Sequence, residues 1–259
     1  MYTYIYDSFV TDRTHERLLA RVETRLTDLG ISGRIERLTM FKDIGEIVAD
    51  AVRRGCETVV AVGNDETVSK LVTAVADLDV ALGVIPVGEG PHTIAEMLGV
   101  VPDVEACNIL SRRVLQRIDL GKINEHYFIS SVEIPRTRAS FACNDRYKVI
   151  PTQENRVSVC NLAPMSVAEN GEMNVSSPHD GYLETVFRPA APNGFFSRLW
   201  RPQEAPSVPT VVPVRHLTIK HQTPFTVFRD GHKLSSNSIR IEVVPKKLKV
   251  ITGKARKFA

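Results

Sequence analysis

The sequence has few cysteines and no long apolar run. Only four of its 259 residues are cysteine, at positions 56, 107, 143 and 160, and no two of them form a CxxC pair. A disulfide framework and a thiolate zinc site are therefore not indicated, and we expect buried thiols. No apolar stretch is long enough to span a bilayer, and the opening MYTYIYDSF lacks the basic start and apolar core of a secretory signal. We expect a cytoplasmic protein, with a peripheral position at a membrane as the alternative.

The sequence also lacks a strong excess of charge of one sign. Its net charge is +3, and its contents of 43% hydrophobic and 24% charged residues are ordinary for a globular protein. The last fifteen residues, PKKLKVITGKARKFA, contain six basic residues and no acidic one, so the rest of the chain carries a net charge of −3. A basic segment confined to one terminus does not indicate a nucleic-acid partner. It either binds anionic lipid head groups or is a solvated edge protected by lysines.

The pattern of apolar and turn-forming residues changes after about residue 103. Before that point, short β-rich runs alternate with helical patterns, which predicts a parallel sheet with helices on its faces. The run DRTHERLLARVETRLTDLG is one such helix, because its apolar residues form one stripe and Gly30 ends it. Later segments are short β-rich runs separated by turn residues, which predicts an antiparallel sandwich.

The predicted fold class is therefore α/β plus all-β. A doubly wound α/β domain of the nucleotide-binding type covers residues 1–103, and a β-sandwich domain covers residues 104–245. The basic segment 246–259 comes last, and one alternative for it is a return to the first domain.

Two loops of the first domain each connect a predicted strand to a predicted helix. GNDET, residues 63–67, follows the apolar run VVAV, and a second loop extends from Pro86 to Gly90. A helix N-terminus offers unpaired amides and partial positive charge to an anion. Because the carboxyl ends of parallel strands form the ligand edge of such sheets, we expect the two loops to share one site.

The order of these parts resembles the diacylglycerol kinase catalytic-domain family, which includes bacterial lipid kinases and sphingosine kinases and is related in its first domain to NAD kinases. That family has the loop Gly-Gly-Asp-Gly-Thr, where this chain has Gly63, Asn64, Asp65, Glu66 and Thr67. Its next loop reads Pro-x-Gly-Thr-x-Asn-Asp, where this chain has PVGEGPH, residues 86–92.

The resemblance continues through the second half of the chain. RIDLGKINEHYFISS resembles the entry to the family's second domain, and DGYLETVF, from Asp180, resembles its Asp-Gly-x-Leu strand start. PFTVFRDGHKL resembles the segment that ends in Asp-Gly-Glu, with Asp230 kept and His232 in place of the glutamate. The resemblance therefore covers nearly the whole chain.

The resemblance implies a two-domain lipid kinase that binds ATP and Mg²⁺ between its domains and transfers a phosphoryl group to a lipid hydroxyl. It implies catalytic roles for Asp65, Asp230 and His232 and a metal-linked role for Asp180. It implies that the nucleotide is bound by the two loops, at Gly63, Asn64, Asp65, Thr67, Gly88 and Gly90.

Several loop positions depart from the family pattern. Glu66 and Glu89 bring carboxylates where a phosphate would bind, and a carboxylate about 4 Å from a phosphate is disfavoured by roughly 4 kcal/mol at an effective dielectric of about 20. A helix terminus contributes only about 0.3 to 1 kcal/mol in return. The segment YIYDSFVTDRTH also lacks the proline and glycine of the family's Asn-Pro-x-x-Gly loop.

These departures leave three hypotheses for the function. The first hypothesis is a diacylglycerol kinase-like protein that uses ATP to phosphorylate a lipid hydroxyl. The alternatives are a catalytically inactive pseudokinase that binds a lipid or a protein partner in the inherited cleft, and a kinase of a soluble substrate. Asp180, Asp230 and His232 also fit ordinary Asp-Gly turns.

FFSRLW, residues 195–200, combines aromatic, apolar and basic residues. This mixture suits a membrane interface, and the alternative is a short helix that covers one end of the sandwich.

Overall fold

The computed structural model describes residues 1–39, 43–167, 173–190 and 209–258. Every structural statement below concerns these residues. The predicted membrane element FFSRLW lies outside them.

The first part of the chain forms a parallel sheet that is covered by helices. Its strands, in the order β2-β1-β3-β4 across the sheet, are β1 (Tyr2–Tyr6), β2 (Arg34–Arg37), β3 (Thr58–Gly63) and β4 (Ala81–Pro86). The helices are α1 (Glu16–Asp28), α2 (Ile44–Arg53), α3 (Asp65–Val75), α4 (Thr93–Met97) and α5 (Glu105–Arg112). Every residue of β3 and β4 is buried, because helices cover both faces of the sheet.

The second part of the chain is made of antiparallel strands. They are β5 (Leu115–Ile123), β6 (His126–Phe128), β7 (Ser131–Thr137), β8 (Ser140–Cys143), β9 (Tyr147–Val149), β10 (Asn155–Cys160), β11 (Pro164–Val167), β12 (Met173–Val175), β13 (Leu183–Pro189), β14 (Thr210–Val214), β15 (His216–Arg229) and β16 (His232–Ile251). Strands β11 and β12 form a separate two-stranded sheet. Alternate residues of β7 and β10 point into a second apolar core, which includes Ile134 and Val157.

Strand β16 connects the two parts. It pairs with β15 and β5 in antiparallel fashion and, at Lys249 and Val250, with β4 in parallel fashion. The parallel and antiparallel strands therefore belong to one fourteen-stranded sheet. This confirms the predicted α/β plus antiparallel fold class, while the continuity of the sheet was not predicted.

The basic C-terminal segment lies beside the first part of the chain. Lys247 pairs with Asp77 at 2.6 Å, and Lys249 pairs with Asp79, both in the turn between α3 and β4. Two of the six positive charges are thus neutralised within the chain. Helix α5 contacts α1 and β4. The division at residues 103 and 245 stays a prediction.

The predicted buried state of the cysteines is confirmed, because all four are free thiols in the interior. Within the described ranges, no helix has the length and apolar character needed to cross a membrane.

Candidate functional site

A cleft of about 660 Å³ lies between the loops of the parallel sheet and a hairpin of the antiparallel part. One wall comes from the starts of α3 and α4. The other comes from the start of β7, the segment before β11 and the β15–β16 turn. The lining residues are Asn64, Asp65, Glu66, Pro91, Thr93, Ile94, Ser130, Ser131, Glu133, Ala163, Pro164, Asp230, Gly231, His232 and Lys233.

Asn64 caps the N-terminus of α3 with its own side chain. Its Oδ1 accepts hydrogen bonds from the amides of Glu66 at 3.1 Å and Thr67 at 3.4 Å. Its Nδ2 donates to the carbonyl of Glu89 at 3.1 Å, which joins the two predicted loops. The amides that a helix N-terminus offers to an anion are therefore occupied by this side chain.

The Asp65 side chain caps the N-terminus of the next helix, α4. Its Oδ2 accepts from the amide of Thr93 at 2.9 Å, and its Oδ1 accepts from the amide of Ile94 at 3.0 Å. Burial raises the pKa of Asp65, while the two amide hydrogen bonds favour its charged form. Both carboxylate oxygens of the predicted acidic centre thus stabilise the start of α4.

Gly63 and Thr67 contact each other rather than the cleft. A Cβ atom on Gly63 would lie 2.2 Å from the Thr67 hydroxyl oxygen, so only glycine fits there. That hydroxyl donates to Oδ2 of Asp7 at 2.8 Å. Asp7, which follows β1 directly, is only 3% exposed.

Glu66 turns toward a lysine of its own helix. Its carboxylate lies 2.9 Å from Nζ of Lys70, which also lies 3.4 Å from Asp7. Burial lowers the pKa of Lys70, but the hydrogen bond to Glu66 and the charge of Asp7 raise it overall. The one lysine of this helix is therefore paired with two carboxylates of the chain.

An aromatic ring lies against the second loop. Gly88 has a φ of +92°, and a Cβ atom there would lie 2.3 Å from the ring of Phe9. Phe9 belongs to the segment after β1 that lacks the family's proline and glycine. Gly90 also has a positive φ, of +111°, and lies beside the Asn64 amide. Neither glycine lines the cleft.

Asp230 forms the base of the opposite wall. Its Oδ1 accepts from the amides of Ser130 at 2.9 Å and Ser131 at 3.0 Å, and its Oδ2 accepts from the amide of Ile129 at 3.0 Å and the hydroxyl of Ser69 at 3.2 Å. Burial raises the pKa of Asp230 against these four hydrogen bonds. Because Ser69 belongs to α3, this carboxylate also connects the two parts of the chain.

His232 is half-buried and lies two residues beyond Asp230, at the start of β16. Its ring forms no hydrogen bond or ion pair with any residue that the structure describes. Among the predicted residues that line the cleft, His232 is therefore the one whose ring nitrogens have no partner in the described part of the chain.

Glu133 is a lining residue that the sequence did not predict. Its Oε1 accepts from the Ser131 hydroxyl at 3.2 Å, and its Oε2 accepts from the Ser158 hydroxyl at 2.7 Å. Ser158 in turn accepts from Nη1 of Arg188 at 3.1 Å. This chain of hydrogen bonds orients a carboxylate on the cleft wall.

Asp180 lies outside the cleft lining. It is exposed, and its Oδ1 accepts from the amide of Tyr182 at 2.9 Å. Burial, followed by the charge of Asp180, raises the pKa of the neighbouring Glu184 to about 7. Throughout the described ranges, no three His, Cys, Asp or Glu side chains come together in a way that could hold a metal ion. The metal-linked role of Asp180 stays a prediction.

The structure thus brings Asn64, Asp65, Asp230 and His232 to one cleft, although at least 165 positions in sequence separate the first two from the last two. Sequence reasoning missed Asp7 and Glu133. Asp7 had a usable signal, because it directly follows a strand whose carboxyl end faces the same edge of the sheet. Glu133 had none, since it lies within a strand of alternating burial.

Comparisons with known proteins show which proteins this chain is similar to. Residues 2–123 match the family model described as the diacylglycerol kinase catalytic domain. A diacylglycerol kinase of Bacillus subtilis (strain 168) is 28% identical over 130 residues, which are 49% of this chain and 43% of that relative. This match spans less than half the length of either protein.

Solved structures extend the likeness of the fold over the whole chain. A diacylglycerol kinase from Bacillus anthracis str. Sterne has a TM-score of 0.76 at 16% identity, covering 98% of this chain and 97% of that one. A second structure, of a putative diacylglycerol kinase from the same organism, has a TM-score of 0.75 with the same coverage. Residues 2–123 are thus similar to the diacylglycerol kinase catalytic domain, and the chain as a whole shares the fold of these solved structures.

Proposed function

We propose that this chain is a non-phosphorylating member of the family whose cleft binds the hydroxyl head of a neutral lipid. One observation carries the proposal: the helix N-termini at the cleft are occupied by side chains of the chain itself. Asn64 binds the first amides of α3, and Asp65 binds the first amides of α4.

Magnesium ATP does not fit these residues. A triphosphate would have to displace Asn64 and Asp65 from the amides, and it would meet the carboxylates of Glu66 and Glu133 on the lining. Each such pair costs roughly 4 kcal/mol at about 4 Å and an effective dielectric of about 20. Lys70 partly offsets the charge of Glu66, whereas the partners of Glu133 are two neutral serine hydroxyls, so Glu133 is the larger barrier to a phosphate.

A lipid hydroxyl is better suited to the same cleft. Glu133 presents an oriented carboxylate, and His232 presents a ring without a partner among the described residues. The apolar part of the lining, Pro91, Ile94 and Ala163, gives a surface for the start of an acyl chain. The relatives that share the fold carry the name diacylglycerol kinase, which motivates a diacylglycerol as the ligand.

An active lipid kinase is the second candidate. It is favoured by the convergence of Asp65, Asp230 and His232 on one cleft, because histidine is the commonest general base in enzymes. In that case His232 would accept the proton of the lipid hydroxyl as phosphate is transferred.

Thermal unfolding with and without magnesium ATP separates the two candidates. We expect no stabilisation of the natural sequence at millimolar nucleotide, whereas a ligand at about 100 times its Kd would stabilise by about 2.7 kcal/mol. The double variant Asn64→Gly, Glu66→Gly removes the capping side chain and one carboxylate, and we expect it to gain stabilisation by magnesium ATP. Its matched control is Asp43→Gly, Glu46→Gly at the start of α2, which lies outside the cleft lining.

The lipid part of the proposal needs its own measurement. We expect a short-chain diacylglycerol to raise the unfolding temperature of the natural sequence and to do so less for Glu133→Gln. Transfer of labelled phosphate from ATP to that lipid, lost in His232→Ala, would refute the non-phosphorylating role and establish the kinase. Absence of both lipid binding and nucleotide binding would refute both candidates.

A further inference from the structure

The outer face of the β9-β8-β15-β16 part of the sheet carries several basic residues. The pairing register places Lys148, Ala142, Thr218 and Arg240 in one row across the four strands. Ser140, Lys220 and Ser238 form the next row. Directly opposed residues share a face, so both rows point to the same side of the sheet.

The other side of these strands is the second apolar core. Val149, Phe141, Ile219 and Ile239 form the intervening row, and the last three are at most 1% exposed. The outer face is therefore fixed as the solvent side, and Ala142, Thr218, Ser140 and Ser238 are the small side chains between its basic residues.

Two of the positive charges on this face have no acidic partner among the described residues. Lys148 and Lys220 are exposed and form no ion pair with a described residue. The nearest acidic residues in the register are already paired, since Glu242 contacts Arg240 and Asp145 contacts His216. A surface of this kind attracts an extended layer of negative charge.

An apolar side chain lies at the edge of the same face. Ile150 follows Val149 at the end of β9, and at 67% it is the most exposed large apolar residue of the described chain. Among the described strands β9 pairs with β8 alone, so Ile150 lies at an edge of the sheet as far as the structure describes it. A lipid surface offers partners to both the lysines and Ile150, whereas a nucleic-acid backbone would leave Ile150 in water.

We propose that this outer face, with the unpaired Lys148 and Lys220 and with Ile150 at its edge, docks on an anionic lipid bilayer. Its residues are separate from the cleft, so the docking depends neither on nucleotide nor on the cleft ligand. It also differs from the C-terminal segment, where Lys247 and Lys249 are paired with aspartates.

Co-sedimentation with vesicles tests this face. The full chain is mixed with phosphatidylcholine vesicles, either pure or containing about a third phosphatidylglycerol. We expect sedimentation with the anionic vesicles alone and a loss of it at high salt. Each basic residue near the surface contributes about a fivefold change in partitioning, so Lys148→Gln, Lys220→Gln should weaken binding by about 25-fold.

The matched control is Lys254→Gln, Lys257→Gln, which removes two exposed lysines elsewhere and should leave binding within about twofold of the natural chain. Ile150→Ser keeps every charge and should weaken binding to anionic vesicles several-fold. Unchanged thermal unfolding of each variant shows that the fold is intact. An equal loss in both double variants, or no binding to anionic vesicles, overturns the proposal. The proposal is also overturned if the chain binds a labelled DNA duplex through Lys148 and Lys220 but does not bind the anionic vesicles.

Discussion

Glu184 is the residue whose charge state should be most visible in the stability of the fold. It lies on β13 opposite Cys160, and its Oε2 is enclosed without a hydrogen-bond partner among the described residues. Burial, followed by the charge of Asp180, raises its pKa from 4.5 to about 7. The folded chain therefore binds a proton that the unfolded chain releases between these two values. The free energy of unfolding should fall as the pH rises through this window and level off above about 7.

Urea unfolding at a series of pH values measures this dependence. Glu184→Gln should flatten the decline, because glutamine does not titrate. Asp180→Asn should move the decline to lower pH, since it removes the charge that raises the Glu184 pKa. A pH profile of Glu184→Gln that matches the natural chain would contradict the assignment.

At the scale of elements, α4 depends on a side chain from another loop. This helix has only five residues, and its first amides are bound by Asp65. Asp65→Ala should destabilise the fold by about 1 to 3 kcal/mol, because it leaves two partly buried donors without an acceptor. Hydrogen exchange at the amides of Thr93 and Ile94 should speed up in the same variant.

The matched control for this change is Asp43→Ala. Asp43 caps α2 through one hydrogen bond to the amide of Glu46 and lies outside the cleft lining. We expect a cost of about 1 kcal/mol there, without any change in exchange at Thr93. An Asp65→Ala chain as stable as the natural one would show that Asp65 is free to serve a ligand.

The positions of these elements could be predicted from the sequence, but their partners could not. Apolar periodicity and glycine placement predicted a strand, a loop and a helix around Gly63 and again around Gly88. That Asn64 would cap α3, and that Asp65 would instead reach α4, depends on how two loops some 28 residues apart pack together. A side chain that can bind either a phosphate or a neighbouring amide gives the same sequence signal in both cases.

The same limit applies at the scale of the whole molecule. The change in the sequence pattern near residue 103 predicted a parallel part and an antiparallel part, because the spacing of apolar residues differs between them. It could not predict that β16 would join both, since pairing partners of a strand are set by tertiary contacts and not by its own pattern. The basic C-terminal segment left a lipid-binding segment and a solvated edge as alternatives, and its pattern could not predict that Lys247 and Lys249 lie against Asp77 and Asp79.

Because β16 belongs to both parts, the two parts should unfold together. Leu248 lies in the core of the parallel part and Ile241 in the core of the antiparallel part, and both are on β16 and at most 1% exposed. Leu248→Ala and Ile241→Ala should each cost about 2 to 5 kcal/mol and should each shift one common transition. In calorimetry, the measured enthalpy should then equal the van't Hoff enthalpy for the natural chain and for both variants. Two separate transitions, with each variant lowering only one of them, would mean that the strand joins two units that fold independently.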